Sequence, residues 1–324
     1  MQPVLVNVSI AASSPFPALL FDGRIIALAH WRADGLRGTS STIELMDDWA
    51  INADRLERLC RSEATRALIA KHGAELSVFR LHAPIAPRQV YCTIGNYRTQ
   101  VLQAALDADG ESNDAARREA VLASIEKRRS AGAPYICLKG SAAVSGPYDP
   151  VYIEAGLTSL DWEVEIGVVI GTTARNVDAA AAFDCVAGYC VVNDITSRDR
   201  IARPDLPALG TDWLQSKSRG GWLPTGPWLV PAWSVGDPSA LRPWLRLNGE
   251  SMQEGIAGDM IFGIAEQIAY LSTHTTLQPG DLICTGTPAG IGSHYGRFLR
   301  AGDVVEAGVS ELGIQRVMCV EPTN

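Results

Sequence analysis

Histidine is scarce in this chain of 324 residues. The five are His30, His72, His82, His274 and His294, and none forms an H-x-x-H or H-x-x-x-H pair. A histidine-rich metal site is therefore excluded. G-x-S-x-G is absent, so no motif supports a serine nucleophile. G-x-G-x-x-G is absent too, and no lysine follows the C-terminal glycines, so there is neither a dinucleotide fingerprint nor a Walker loop. The seven cysteines (Cys60, Cys92, Cys137, Cys185, Cys190, Cys284 and Cys319) include no C-x-x-C pair. Most lie in apolar runs such as Val90-Tyr91-Cys92 and Leu282-Ile283-Cys284, and read as reduced core thiols rather than a disulfide frame or a zinc site. Basic blocks are missing, and a net charge of −8 with a pI of about 5.2 argues against nucleic acid as a partner. No apolar run reaches bilayer length, which argues against a membrane span. Met1-Gln2-Pro3-Val4 has no basic region before its apolar stretch, unlike a signal peptide. The expectation is a cytoplasmic protein.

What is present is ordinary globular composition, 47% hydrophobic and 20% charged, enough for one large domain or two modest ones. Residues 15 to 32 read as a hairpin turning at Asp22-Gly23. Residues 42 to 72 carry helical spacing, with Leu56, Leu59, Cys60 and Leu68 on one side. His82-Ala83-Pro84-Ile85-Ala86-Pro87 then breaks both helix and sheet. This places a small N-terminal unit at 1–84 and a larger domain at 85–324. From Val90 onward short strands alternate with Gly and Pro, among them 186–192, 245–247 before the turn Asn248-Gly249, 281–285 and 303–306. A helix is expected over 261–273. Residues 98–132 differ, with a helix over 98–107 and a charged one over 114–129 capped by Asn113. In the first, Val101, Leu102, Ala105 and Leu106 share one face, and Gln100, Gln103 and Asp107 another. This piece reads as an insertion or cover.

The most informative run is Asp161-Trp162-Glu163-Val164-Glu165, leading into Ile166-Gly167-Val168-Val169-Ile170-Gly171. In one strand, alternate residues face the same way, so Asp161, Glu163 and Glu165 would share a face. Three carboxylates side by side resist burial unless a cation sits on them. All-oxygen ligands favour Mg²⁺, Mn²⁺ or Ca²⁺. The same alternation also suits the wet face of an edge strand. Asp194 closes a second apolar strand, where a strand-ending turn is the plainer reading. Lys217 stands between Trp213 and Trp222, unlike a solvated lysine. Gly286, Gly290 and Gly292 allow close backbone approach to a ligand.

Taken in order, these motifs resemble the fumarylacetoacetate hydrolase family over residues 88 to 320. The resemblance is carried by Ile94-Gly95-Asn96-Tyr97, Leu138-Lys139, Asp161-Trp162-Glu163-Val164-Glu165, Asn193-Asp194-Ile195-Thr196-Ser197-Arg198-Asp199, Lys217-Ser218, Gly226-Pro227-Trp228, Asn248-Gly249-Glu250, Gln253-Glu254-Gly255 and Gly286-Thr287-Pro288. It implies an α+β, mainly β fold: a mixed β-roll, here with a small N-terminal α+β unit, and commonly a homodimer. It implies that Glu163, Glu165 and Asp194 bind one divalent ion, usually Mg²⁺ or Mn²⁺, with Asp161 in support. Lys217 would lie beside the ion-bound group. Asn96, Tyr97, Lys139, Arg198, Gln253 and Thr287 match positions lining the substrate pocket.

Family members act on small 2-oxo acids and diketo acids. Chelation by a carboxylate and its 2-oxo group lets a cation withdraw electrons as a neighbouring C–C bond breaks. Hydrolysis also needs a base for water. The family's lid helix supplies a His and a Glu, and here those positions are Gln100 and Gln103. A glutamine amide can orient water but cannot take its proton. Glu126 or another acid of the 98–132 segment is a possible replacement. The leading expectation is a metal-dependent C–C bond hydrolase of an acylpyruvate-like or 1,3-diketo acid, in aromatic or sugar-acid catabolism. A decarboxylase, tautomerase or dehydratase of a 2-oxo acid is the alternative, and a non-catalytic 2-oxo acid binding protein the third.

Overall fold

The computed structural model describes residues 3–108 and 115–322, so the cap expected at Asn113 lies outside the described residues. The fold is mixed α and β with strands predominating, as expected. Near the N-terminus, the Phe16–Phe21 and Arg24–Ala27 strands form the expected hairpin. Asp22 and Gly23 both take positive φ, the two-residue turn that matches strand twist. Val4–Ser9 pairs with Phe16–Phe21 on one side and Arg80–His82 on the other, within a five-stranded sheet. Three helices, Thr42–Asp47, Trp49–Arg61 and Glu63–His72, follow the hairpin and bury Leu56, Cys60 and Ile69. Ser41 and Ser62 cap the first and third through their side chains. Leu5 and Leu229 exchange backbone hydrogen bonds, and Trp49 stacks on Trp233 at 5.9 Å. The N-terminal apolar residues thus join the two main cores.

A six-stranded mixed sheet holds the acidic run. Its strand order is Val230–Pro231, Val186–Asn193, Val164–Ile170, Leu282–Cys284, Val90–Ile94 and Tyr135–Lys139. Val164–Ile170 is flanked on both sides and buried throughout, which removes the wet-edge reading. Its Val164, Ile166, Val168 and Ile170 enter one core with Leu245, Val305, Ala307 and Val317 of a five-stranded sheet. Val169 enters the other core with Cys190, Val192, Cys92 and Cys284. All seven cysteines are free, six of them buried. Among the described residues, no helix is long and apolar enough to cross a membrane.

Two expectations need correction. The acidic run is not one strand: Leu160–Asp161 pairs with Thr196–Ser197, and the chain leaves the ladder at Trp162 and Glu163 before Val164–Ile170 begins. Asp161 is held there by backbone N–H groups of Trp162, Gly292 and Ser293, and the Trp162 indole donates to Gly290 O. Asp161 therefore does not share a strand face with Glu163 and Glu165. The helix expected from 261 begins at Ile264 instead, because Ile261 N is committed to Asn96 O and the Glu266 carboxylate accepts from Gly263 N.

The cover consists of two helices, Arg98–Ala108 and Ala115–Ala131. Leu102, Leu106, Val121 and Ile125 form a separate cluster with Ile261 and Phe262, with Val101 and Ala105 packed against it. The Asp259 carboxylate accepts from Thr99 N and Oγ1 at the start of the first helix, favourable for a helix N-terminus.

Candidate metal centre and active site

Glu163, Glu165 and Asp194 converge, each offering an oxygen within 4.8 Å of the other two, and all three are buried. Adjacent strands bring them together. Val164 pairs with Asn193, and Asp194 N donates to Glu163 O at 2.8 Å. The Asn193 side chain accepts from Glu163 N at 2.9 Å, fixing the irregular residue before the strand.

Two lysines support Asp194 from opposite sides. Lys217 Nζ donates to Asp194 Oδ2 (2.6 Å), Glu163 Oε2 (3.0 Å) and Thr196 Oγ1 (2.7 Å). Lys139 Nζ donates to Asp194 Oδ1 (2.6 Å) and to the carbonyls of Trp222 (2.8 Å) and Ile195 (3.1 Å). Each ammonium has three donors, and all are used. Burial disfavours the Asp194 charge, but the two ammonium groups hold its carboxyl well below the usual range. Burial likewise opposes the Lys217 charge, yet Asp194 and Glu163 hold it protonated far into the alkaline range. Lys217 is thus held as a cation in this arrangement.

Arg198 donates from Nε to Asp161 Oδ2 at 2.8 Å. Its Nη2 lies 2.6 Å from Glu163 Oε1, a charge contact not aligned as a hydrogen bond. Asp161 therefore acts through Arg198 rather than at the cluster. Glu165 differs from its neighbours. Among the described residues it has no cationic hydrogen-bond partner, and its Oε2 accepts from Gly286 N at 2.7 Å. Burial, reinforced by Asp194 and Glu163, pushes its carboxyl well above the ordinary range. Four carboxylates (161, 163, 165, 194) thus face three cations (139, 198, 217), leaving one negative charge when all are ionised.

The other expected site residues fall into two groups. Asn96, Gln253 and Thr287 are buried and tied to the protein. Asn96 bridges Thr285 O and both backbone groups of Phe262. Gln253 accepts from Val164 N and donates to Thr287 Oγ1 and Pro288 O, while Thr287 donates to Val164 O. Tyr97 is different: fully buried, its hydroxyl has no partner. Burial, with Glu165 and Asp259 nearby, pushes its pKa well above the ordinary tyrosine value. An orphaned buried hydroxyl beside a carboxylate cluster is what a site for a further polar group leaves behind. The three clustered oxygen donors fit a hard divalent cation.

Gln100 and Gln103 are half-buried on the face of the Arg98–Ala108 helix turned toward Ile291 and Ser293, not on its packed Leu102 and Leu106 side. Gln103 Oε1 accepts from Gly290 N at 2.7 Å. Glu126 is exposed and paired with Arg98, so nothing directs it to the cluster. Among the described residues, no histidine hydrogen-bonds to a cluster member. Gly286 and Gly290 both have φ +96. The close approach they permit is to the chain itself, since a Cβ on Gly290 would lie 1.9 Å from Met252 O and one on Gly286 2.8 Å from Asn96 Cβ. Asn193 and Thr196 were visible as motif residues, but their contacts with Glu163 N and Lys217, like the Gln253–Val164 contact, were not legible in sequence. Their partners are brought together only by the folded sheet.

Glu165 makes metal binding and pH interdependent. Its raised folded value means its contribution to stability is full below the unfolded glutamate range and is lost as pH rises through the raised value. Asp194 runs the other way, its contribution present above the unfolded aspartate range and lost only in strong acid. A cation taking the Glu165 carboxylate releases a proton. Mn²⁺ is therefore expected to raise the melting temperature more at mildly alkaline than at mildly acidic pH in scanning calorimetry. A rise independent of pH would contradict a protonated Glu165.

The family model described as fumarylacetoacetate (FAA) hydrolase C-terminal matches residues 89–320. A 2,4-didehydro-3-deoxy-L-rhamnonate hydrolase from a Sphingomonas species is 43% identical over 186 residues, 56% of this chain and 64% of that protein. The match thus spans less than two thirds of that relative. A structure described as a probable 2-hydroxyhepta-2,4-diene-1,7-dioate isomerase from Mycobacterium abscessus aligns with a TM-score of 0.70 and 29% identity, covering 99% of this chain and 100% of that one. A maleylpyruvate hydrolase from Sphingobium sp. SYK-6, in complex with manganese and pyruvate, shares the fold at a TM-score of 0.71 and 23% identity, with full coverage of both chains.

Proposed function

The chain belongs to the fumarylacetoacetate hydrolase family, and from that premise we propose that it is a divalent-metal-dependent hydrolase cleaving a C–C bond in an acylpyruvate-like 2-oxo acid. The observation that carries this reading is the buried Glu163, Glu165 and Asp194 cluster with Lys217 against it. Mg²⁺ or Mn²⁺ held by those carboxylates would supply Lewis acidity toward the oxygens of a 2-oxo carboxylate. Names of similar proteins support the class: one is a hydrolase of a didehydro-deoxy sugar acid, another was crystallised with pyruvate.

The roles of the chain's own groups follow from which are already engaged. Lys217 and Lys139 fix Asp194 and keep it ionised. The Tyr97 hydroxyl and the outer guanidinium nitrogens of Arg198 retain hydrogen-bonding capacity, and we assign them to the substrate. Asn96, Gln253 and Thr287 position the loop and strand around it. Gln103 and Gln100 orient water or substrate without taking a proton. A homodimer belongs to the same reading, supported by exposed apolar side chains at Tyr135, Leu138 and Leu214. Sedimentation equilibrium tests it.

The two glutamines favour a second reading, decarboxylation or isomerisation of a 2-oxo acid, which needs no base for water. A panel of acylpyruvates and oxaloacetate with Mg²⁺ or Mn²⁺, followed by loss of enol absorbance, separates the two. The expected outcome is release of pyruvate from acylpyruvates. Carbon dioxide release or double-bond migration without pyruvate would move the assignment to the second reading.

A further inference from the structure

A cavity of about 290 Å³ lies between the Arg98–Ala108 helix and the 290–293 segment, lined by Gln100, Gln103, Ala104, Asp107, Ile291 and Ser293, with Ala108. Hydrogen bonds and an ion pair link two of its walls to the carboxylate cluster. Ser293 N donates to Asp161, Asp161 holds Arg198, and Arg198 contacts Glu163. On the other wall, Gln103 holds Gly290, in the loop whose Gly286 N donates to Glu165. The helix also starts next to the orphaned Tyr97 hydroxyl. Tyr97 precedes it, and Gln100 and Gln103 follow about 4.5 and 9 Å further along its axis at 1.5 Å per residue.

The lining carries a chemical signature. No lysine or arginine is part of it, and its one charged residue is an acid, Asp107, paired with His294 Nδ1 at 2.8 Å. Gln103 has spent its oxygen on Gly290 N, leaving two amide donors. Among the described residues, the Gln100 side chain has no hydrogen-bond partner and offers both donor and acceptor. Ser293 adds a hydroxyl, and Ile291 and Ala104 add apolar wall. A carboxylate placed here would give up hydration with no cation to compensate and would face Asp107. Hydroxyl groups, which both donate and accept, match the two amides and the serine.

We propose that this cavity receives the far end of the substrate and selects an uncharged, hydroxylated end over a carboxylate, with Gln100 and Gln103 as the specificity-determining residues. The proposal rests on the 2-oxo acid reading of the cluster. It gives the glutamines a recognition role that needs no proton transfer.

The test uses the full chain loaded with Mn²⁺ and acylpyruvates of equal length ending in a vicinal diol or a carboxylate. Dissociation constants come from calorimetry, and pyruvate release is followed in the same mixtures. The diol-ended compound is expected to bind at least about tenfold more tightly. Gln100→Arg is expected to move that ratio toward the carboxylate by about tenfold. Ala104→Arg, at an exposed position on the same wall, should move it the same way if the first variant does not fold. Equal or tighter binding of the carboxylate-ended compound by the parent, or a ratio that neither arginine moves, would overturn the proposal. Absence of pyruvate release would count against the hydrolase reading alone, because the binding ratio does not depend on turnover. Failure of both compounds to bind would sink both.

Discussion

Glu165→Gln is expected to abolish divalent-ion binding while leaving the metal-free protein at least as stable as the parent. The two halves have separate causes. A carboxylate ligand in a three-oxygen site contributes charge that an amide lacks, and even outer partners of metal ligands are worth about 10–100-fold in affinity. Loss of a direct ligand should therefore exceed about a hundredfold. Glu165 is also the member with no cationic hydrogen-bond partner among the described residues: Gly286 N is its hydrogen-bond donor, and burial, with Asp194 and Glu163, outweighs the attraction of Lys217 and pushes its carboxyl up. Glutamine resembles that protonated form and can still accept from Gly286 N. Calorimetric titration with Mn²⁺ and urea unfolding without metal measure the two halves. A variant that loses binding only because it unfolds would show a fall in the second measurement, and the assignment of Glu165 would then lack support.

Asp194→Asn should behave in the opposite way and cost stability with or without metal. Asp194 has no exposed surface and accepts from two ammonium groups, one on each oxygen. An asparagine can accept from one lysine but turns an N–H₂ toward the other. Breaking one side of a buried ion pair costs about 3–5 kcal/mol. The lower end is expected, because Lys217 keeps Glu163 and Thr196, and Lys139 keeps the carbonyls of Ile195 and Trp222. Urea unfolding at neutral pH checks this. A loss below about 1 kcal/mol would mean that the lysines are compensated elsewhere.

Which parts were legible in the sequence follows from how local each signal is. The hairpin at Asp22-Gly23, the helical spacing over 42–72 and the two faces of Arg98–Ala108 depend on neighbours a few residues apart, and were read correctly. The carboxylate cluster was legible only through the order of family motifs. Alternation alone allowed a wet edge, and only the strands on both sides of Val164–Ile170 removed it. The break at Trp162 and Glu163 was hidden, because it is imposed by Gly290, Gly292 and Ser293, some 130 residues later. The lysines were found as residues, but not the arrangement in which both are spent on Asp194. The same holds for Asn96 and Gln253, whose amides are consumed by backbone groups that no local pattern announces.

The start of the 264–274 helix was misplaced for a related reason. Ile261 and Phe262 continue the helical apolar pattern, but they are drawn into the lid cluster and the Asn96 contacts. Tertiary demand outweighed local propensity there.

The central claim is that Glu163, Glu165 and Asp194 together hold one divalent ion. Anomalous scattering from crystals grown with Mn²⁺ tests it most directly. The account predicts a single strong peak per chain, bounded by carboxylate oxygens of those three residues, with Lys217 beside it and not ligating. A peak elsewhere in the chain with none at the cluster, or full occupancy retained in Glu165→Gln, would contradict it.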